Sequence, residues 1–309
     1  MATFEASAAI RVGVLKSGTV NWTLDVVEHH ELAKRAGVDL QITSLASNSA
    51  LNVALQAGSV DVIVSDWVWV TRQRAEGRTY TFFPYSLAAG ALTVRPDAGV
   101  KKLDDLRGKR LGVAGGPVDK SWLILRAYSR QMFGEDLKDV VYPNFAAPPL
   151  LNELMLRGEL PAVLNFWHYN ARLEAAGMIP LLRITDALAV LGVEGPVPLV
   201  GWVFDERWAD AHRSEMQAFL GAVYAAKRLL DDSDAEWERL KPVMKVDDAA
   251  TLHALRDAYR AGIPHRFGAR ETQNAKLLFA ILAREGGAEL VGKSRDLSEG
   301  TFWNGFEIP

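Results

Sequence analysis

Hydrophobic positions along this chain follow two periods. Short apolar runs rich in β-branched residues alternate with longer stretches in which apolar side chains recur every three or four positions. The first pattern reads as buried strands and the second as amphipathic helices. Strands are predicted over residues 10–15, 40–45, 60–64, 81–85, 91–94, 110–114, 140–143 and 162–164, with a return strand over 196–204. Helices are predicted over 25–36, where Gly37 supplies a left-handed cap, from Ser47-Asn48-Ser49 to Gln56-Ala57-Gly58, and over 119–133 and 150–157. Most of 206–285 is helical in pattern, with Met216, Phe219, Leu220, Val223 and Leu229 spaced three or four apart where they cluster. Three strands open through small polar residues into a helix, and each opening holds a Trp: Lys16 to Trp22, Ser65-Asp66-Trp67, and Gly115 to Trp122. Alternating strands and helices predict an open parallel sheet, whose ligands sit beyond the strand carboxyl ends, where amides and helix N-termini converge.

The turn-forming run Arg95-Pro96-Asp97-Ala98-Gly99 interrupts the series, and a second strand-helix series follows it. The chain therefore divides into a first lobe, residues 10–95 plus 197–309, whose C-terminal helices wrap it, and an inserted second lobe, residues 96–196. Two crossings between lobes make a hinge, and hinged α/β lobes close on what lies between them.

With 309 residues, 49% of them hydrophobic, the chain can build a core in each lobe. The formal net charge of −3 comes from interspersed acids and bases, so no basic face for nucleic acid is expected. No apolar run reaches the roughly 20 residues that span a bilayer. Residues 1–7 lack the apolar centre of a signal peptide, which leaves two accounts: a cytoplasmic protein, or a mature chain whose export signal has been removed. Ala2, Ala6, Ala8 and Ala9 suit the second. The absence of Cys excludes disulfides, thiolate metal sites and a thiol nucleophile, and it suits an oxidising compartment, so the periplasm is favoured.

Three segments carry a family resemblance. Ala54 to Val62 (ALQAGSVDV) is similar to an "alxxGevDva" motif, Leu103 to Val113 (LDDLRGKRLGV) to "lkdLkGKkigv", and Leu154 to Ala162 (LMLRGELPA) to "lxxGeidA". In this order they resemble the substrate-binding proteins of ABC importers for nitrate, aliphatic sulfonates, taurine and thiamine-pyrimidine precursors, over about residues 10–204. The segments specify scaffold, and Pro161 departs from the family's usual Asp. The resemblance implies a type II periplasmic-binding-protein fold, two α/β lobes with a hinge and a central ligand cleft. It implies a small-molecule ligand and a permease partner.

Carried onto matching positions, the resemblance lines the cleft with Ser17, Gly18, Thr19 and Trp22; Ser47, Asn48 and Ser49; Ser65, Asp66 and Trp67; Gly116, Asp119, Ser121 and Trp122; and Asn165, Trp167 and His168. The residues alone select nearly the same set, since hydroxyls, amides and free N–H groups give directional recognition between aromatic walls. Ser17, Thr19, Ser47 and Ser65 have the alternative role of helix N-caps, and so do Asp66 and Asp119. If both acids face the cleft they disfavour an anion and favour a cationic, amine-bearing or heteroaromatic ligand, or a bound metal ion as solute; a sulfonate or pyrimidine remains the family's alternative. Trp69 reads as core, His168 as a half-exposed helix start, and His29-His30 as surface, because adjacent helical residues point about 100° apart. No resident metal or cofactor is expected.

No Ser-His-acid order, HExxH, P-loop or GxSxG pattern occurs, so the chain reads as a binder and not an enzyme, and as a monomer. The alternative is a cytoplasmic enzyme on the same fold, such as a chorismate-dehydratase-like lyase, which needs no thiol. A ligand sensor that uses the fold without transport also fits.

Overall fold

The computed structural model describes residues 9–309; the expectations drawn from residues 1–7 and from Ala8 lie outside them. In chain order the first elements are β1 (Ile10–Leu15), α1 (Val20–His29), α2 (Leu32–Arg35), β2 (Leu40–Leu45), α3 (Asn48–Gln56), β3 (Val62–Ser65), α4 (Trp67–Ala75) and β4 (Tyr80–Ser86). There follow β5 (Ala91–Val94), β6 (Arg110–Ala114), α5 (Lys120–Phe133), α6 (Leu137–Val140), β7 (Tyr142–Ala146), α7 (Pro148–Leu156), β8 (Ala162–Asn165), α8 (Trp167–Ala175), β9 (Ile179–Arg183) and α9 (Ile184–Val190). The chain ends with β10 (Val200–Asp205), α10 (Glu206–Ala211), α11 (Arg213–Asp232), α12 (Asp234–Met244), α13 (Ala249–Ala261) and α14 (Ala269–Val291).

The strands form two five-stranded sheets of the same layout, β2-β1-β3-β10-β4 and β7-β6-β8-β5-β9. The wholly parallel sheet expected from the strand-helix pattern is therefore corrected. In each sheet three parallel strands are followed by one antiparallel strand, β10 or β5, and that strand is the one by which the chain enters the sheet after a crossing. The first crossing also lies earlier than the Arg95–Gly99 turn. Ala91–Val94 pairs with β8 and β9, so this strand belongs to the second sheet, and the chain crosses at residues 87–90. Gly90 is fixed there by packing: a Cβ at this position would stand 2.0 Å from the Asn165 carbonyl oxygen.

The strand interiors are apolar because helices cover both faces; Val12, Val14, Val62 and Ile63 are fully buried in the first sheet, as are Leu111, Val113 and Val163 in the second. The single helix expected over 25–36 is broken. Glu31 adopts a left-handed conformation, φ 51°, and the turn lets Ala33 and Val38 bury beneath α2, which packs against α11. Strand β9 was not expected: Pro180 interrupts its apolar run, and β9 tolerates it because it is an edge strand, where a missing N–H breaks no ladder. The C-terminal helices do more than wrap the first sheet. Helix α14 packs on α4 and on α5, and Glu285 accepts from Arg130 of α5. Among the described residues no helix is long and apolar enough to cross a membrane.

Gly90→Ala is expected to destabilise the fold by about 2–3 kcal/mol in urea unfolding, because the Asn165 backbone must shift to admit the methyl group; an unchanged midpoint would show that the crossing is loosely packed.

Candidate functional site

The two sheets turn their strand carboxyl ends toward one another, and the residues that follow β1, β3, β6 and β8 meet across the gap. After β3, Asp66 sits at the N-cap of α4, where its Oδ1 accepts from the Trp69 amide at 2.9 Å. Its second oxygen accepts from Lys120 Nζ of the other lobe at 3.0 Å. After β6, Gly115 and Gly116 turn with φ of 87° and 125°, and a Cβ on Gly115 would come within 2.6 Å of Asp119 Oδ2, so the glycine is what lets the carboxylate fold back. Asp119 caps α5 by accepting from the Ser121 amide at 2.9 Å and the Trp122 amide at 3.3 Å. Burial raises the Asp119 pKa against the opposing pull of Lys120 and the two amides. Burial works against the Lys120 ammonium as well, but Asp66 and Asp119 outweigh it and its pKa is raised. Lys120 is therefore charged, paired with Asp66 of the other lobe and further favoured by the field of Asp119 on its own.

A second contact across the lobes is aromatic. Trp22 of α1 meets Trp167 of α8 edge-on, 5.9 Å between ring centroids, and Tyr259 of α13 packs against both, at 6.3 and 6.2 Å. Trp237 completes the first-lobe side, 5.2 Å from Tyr259 and 6.2 Å from Trp22. Such edge-to-face pairs each add about 0.5–1.5 kcal/mol beyond the area they bury. Arg172 of α8 adds a third link by donating to the Met244 carbonyl at 2.8 Å.

The structure thus brings together Trp22, Asp66, Asp119 and Trp167 from the expected set. Trp67 goes elsewhere. It is fully buried, its Nε1 donates to the Pro198 carbonyl at 2.8 Å, and its ring packs against Phe302, so it is a core residue. Asn165 is committed within its own lobe: its amide donates to Pro148 O and Asn152 Oδ1, and its oxygen accepts from the Phe166 amide. Trp122 is buried in the second lobe with its edge toward Phe145, and Ser121 is buried beside it. Ser47 caps α3 through the Ala50 amide, while Asn48, Ser49 and Ser17 are exposed. Thr19 occupies the N-cap of α1 without a side-chain bond; Gly18, Ser65 and Gly116 are half-buried around the gap. Trp69, placed in the core from sequence, stacks on Tyr80.

His168 is at a helix start and half-buried, as expected, but its inner ring nitrogen faces the protein. Its Nδ1 is buried with no hydrogen-bond partner, and burial, assisted by Arg172, lowers its pKa to about 4, so the imidazole is neutral at pH 7.

The residues missed in the sequence are Lys120, Thr23, Tyr85, Tyr259 and Lys227. Thr23 Oγ1 is hydrogen-bonded to both tyrosine hydroxyls, and Lys227 lies behind them. Two signals were present. Lys120 occupies the first turn of a helix, where the dipole disfavours a cation. Lys227 continues the buried stripe of Leu220, Val223 and Leu230 on α11.

The fold is that of the two-lobed periplasmic binding proteins. The structure superposes on the periplasmic aliphatic sulphonate binding protein of Escherichia coli with a TM-score of 0.76 at 18% identity, covering 96% of this chain and 92% of that one. For the alkanesulfonate-binding protein of Xanthomonas axonopodis pv. citri bound to MOPS the TM-score is 0.72 at 18% identity, covering 96% and 99%. For the periplasmic nitrate-binding protein of Synechocystis PCC 6803 it is 0.60 at 12% identity, covering 85% and 71%. The NMT1/THI5-like family model matches residues 31–226, more than half of the chain, and the chain belongs to that family. A probable ABC transporter extracellular-binding protein of Bacillus subtilis (strain 168) is 29% identical over 157 residues; the match spans 50% of this chain and about half the length of that relative, 50%.

Trp67→Ala is expected to lose about 3–5 kcal/mol of stability in urea unfolding, the range for emptying a buried aromatic site; a loss under 1 kcal/mol would put the ring back in the cleft. For His168 the sign follows from its lowered folded pKa. The unfolded chain takes a proton near 6.5 and the folded chain only near 4, so this stabilisation is complete above pH 6.5 and lost as pH falls through 4. Comparison of His168→Gln with the parent between those pH values should show up to about 3 kcal/mol of pH-dependent stability removed.

Proposed function

We propose that this chain is the solute-capturing component of an ABC importer, working outside the cytoplasmic membrane, and that it closes on a small organic solute by moving its two lobes about the crossings at residues 87–90 and near Pro198. The observation that carries the reading is the meeting of both lobes at their strand carboxyl ends, through Lys120 to Asp66 and Trp167 to Trp22. Open α/β sheets bind ligands at that position. Family membership and the sulphonate-binding and extracellular-binding relatives point the same way.

A ligand can favour closure only by what it touches on both lobes at once. Trp22 and Tyr259 of one lobe pack edge-on against Trp167 of the other, so a solute that enters between the lobes parts these rings, and the apolar faces it then meets suit a ring or a short apolar body. The expected preference for a cation loses its main support in the geometry. Asp66 is a helix cap paired with Lys120, and Asp119 is a helix cap bonded to the Ser121 and Trp122 amides, so both carboxylates already have partners within the protein.

Mass spectrometry of a compound carried through native purification tests the reading. A stoichiometric compound recovered unchanged is expected, and Trp167→Ala is expected to weaken its binding about tenfold or more, the scale on which a large buried anchor acts, while the chain stays folded. Turnover of that compound, or undiminished binding to Trp167→Ala, would contradict it.

A further inference from the structure

Charged side chains are almost never fully buried unless paired, because the charge leaves water without a counter-ion to replace it. Lys227 breaks that pattern. Its side chain, on α11, is 1% exposed, and its Nζ lies 3.8 Å from the centre of the Tyr85 ring and 5.2 Å from that of Tyr259. Among the described residues no carboxylate oxygen lies within ion-pairing distance of it, and only the two ring faces attend its charge. The hydroxyls nearby are already engaged with each other, Tyr85 and Tyr259 both bonding Thr23 Oγ1.

Position gives this ammonium a use. Tyr259, which covers it on one side, is the same ring that Trp167 reaches from the opposite lobe, so Lys227 stands one aromatic ring behind the surface where the lobes meet. Tyr85 lies at the end of β4, next to the crossing at residues 87–90. The two carboxylates of the gap cannot serve Lys227, being tied to Lys120 and to helix amides.

We propose that Lys227 receives an acidic group of the captured solute, a carboxylate, sulfonate or phosphate, drawn between the Tyr85 and Tyr259 rings, and that the solute class is accordingly a small organic anion with an apolar body. The assignment rests on the solute-capture reading and narrows it. Burial lowers the Lys227 pKa to about 7, as expected for an ammonium whose counter-ion is elsewhere, and an incoming anion would raise it again.

The test uses four probes of one shape and different charge: benzoate, benzenesulfonate, benzamide and benzylammonium, titrated calorimetrically at pH 6 and constant ionic strength. The two anions are expected to bind the parent protein about tenfold or more tighter than benzamide, the scale of a charge-assisted hydrogen bond, and to lose that margin in Lys227→Met, which keeps the volume and removes the charge. In parallel, the Lys227 13Cε resonance of lysine-labelled parent protein is expected to show a pKa raised by about one unit or more on adding benzenesulfonate, a readout independent of whether the variant folds. Tightest binding of benzylammonium, equal binding of the anions to parent and variant, no anion binding at all, or an unmoved Lys227 pKa would each overturn the assignment. Benzamide or benzylammonium bound at least as tightly as the two anions, in a manner lost in Trp167→Ala, would overturn it while leaving solute capture standing. Failure of every probe, with no compound carried through purification, would end both.

Discussion

The meeting of the strand ends in this molecule depends on the Lys120–Asp66 ion pair across the gap, which acts beside the Glu285–Arg130 pair that ties α14 of the first lobe to α5 of the second. Lys120 and Asp66 both sit at helix starts, on opposite lobes, so their separation is set by where two strands end and two helices begin and not by long flexible segments. A partly buried, charge-assisted hydrogen bond of this kind is worth on the order of 1–3 kcal/mol. That is small against the stability of either lobe, yet about the size of the free-energy differences that separate open and closed states of a hinged protein. The Trp22–Trp167 contact and the Arg172 bond to Met244 add to the same balance from other points of the interface.

Two consequences follow for recognition. Of the two carboxylates in the gap, Asp66 is paired with Lys120 and Asp119 is turned onto the first amides of α5, so both are engaged within the protein although the three groups together keep one negative charge. The unanswered charge is the ammonium of Lys227, behind Tyr85 and Tyr259. Under the proposed assignment, electrostatic recognition and closure are separate: Lys120 contributes to holding the lobes together, and Lys227 is available to the solute.

The scaffold was legible in the sequence because strand and helix periods are local properties. The openings after β1, β3 and β6 stand where the pattern placed them, and Asp66 and Asp119 cap the helices they precede. What failed was non-local. Ala91–Val94 follows β4 after a short loop and reads as its neighbour, but pairing with β8 and β9 across the crossing decides its sheet. Trp22 and Trp67 both follow a strand end by a few residues; one turns to the lobe interface and the other to Pro198 and Phe302, a choice made by helix rotation against the sheet. Lys120 was passed over because its partner lies 54 positions away. Lys227 was visible in principle as a cation on an apolar stripe, where long side chains are usually assumed to reach solvent.

The lack of cysteine in the chain opens a direct measurement of the central claim. Spin labels on Ser49→Cys in the first lobe and Glu159→Cys in the second, both exposed, report the interlobe distance by pulsed electron resonance. The account predicts one narrow distribution in the otherwise unaltered protein and a broadened, longer one when Lys120→Met removes the pair with Asp66. An identical distribution in both would show that the pair does not govern closure and would contradict the account.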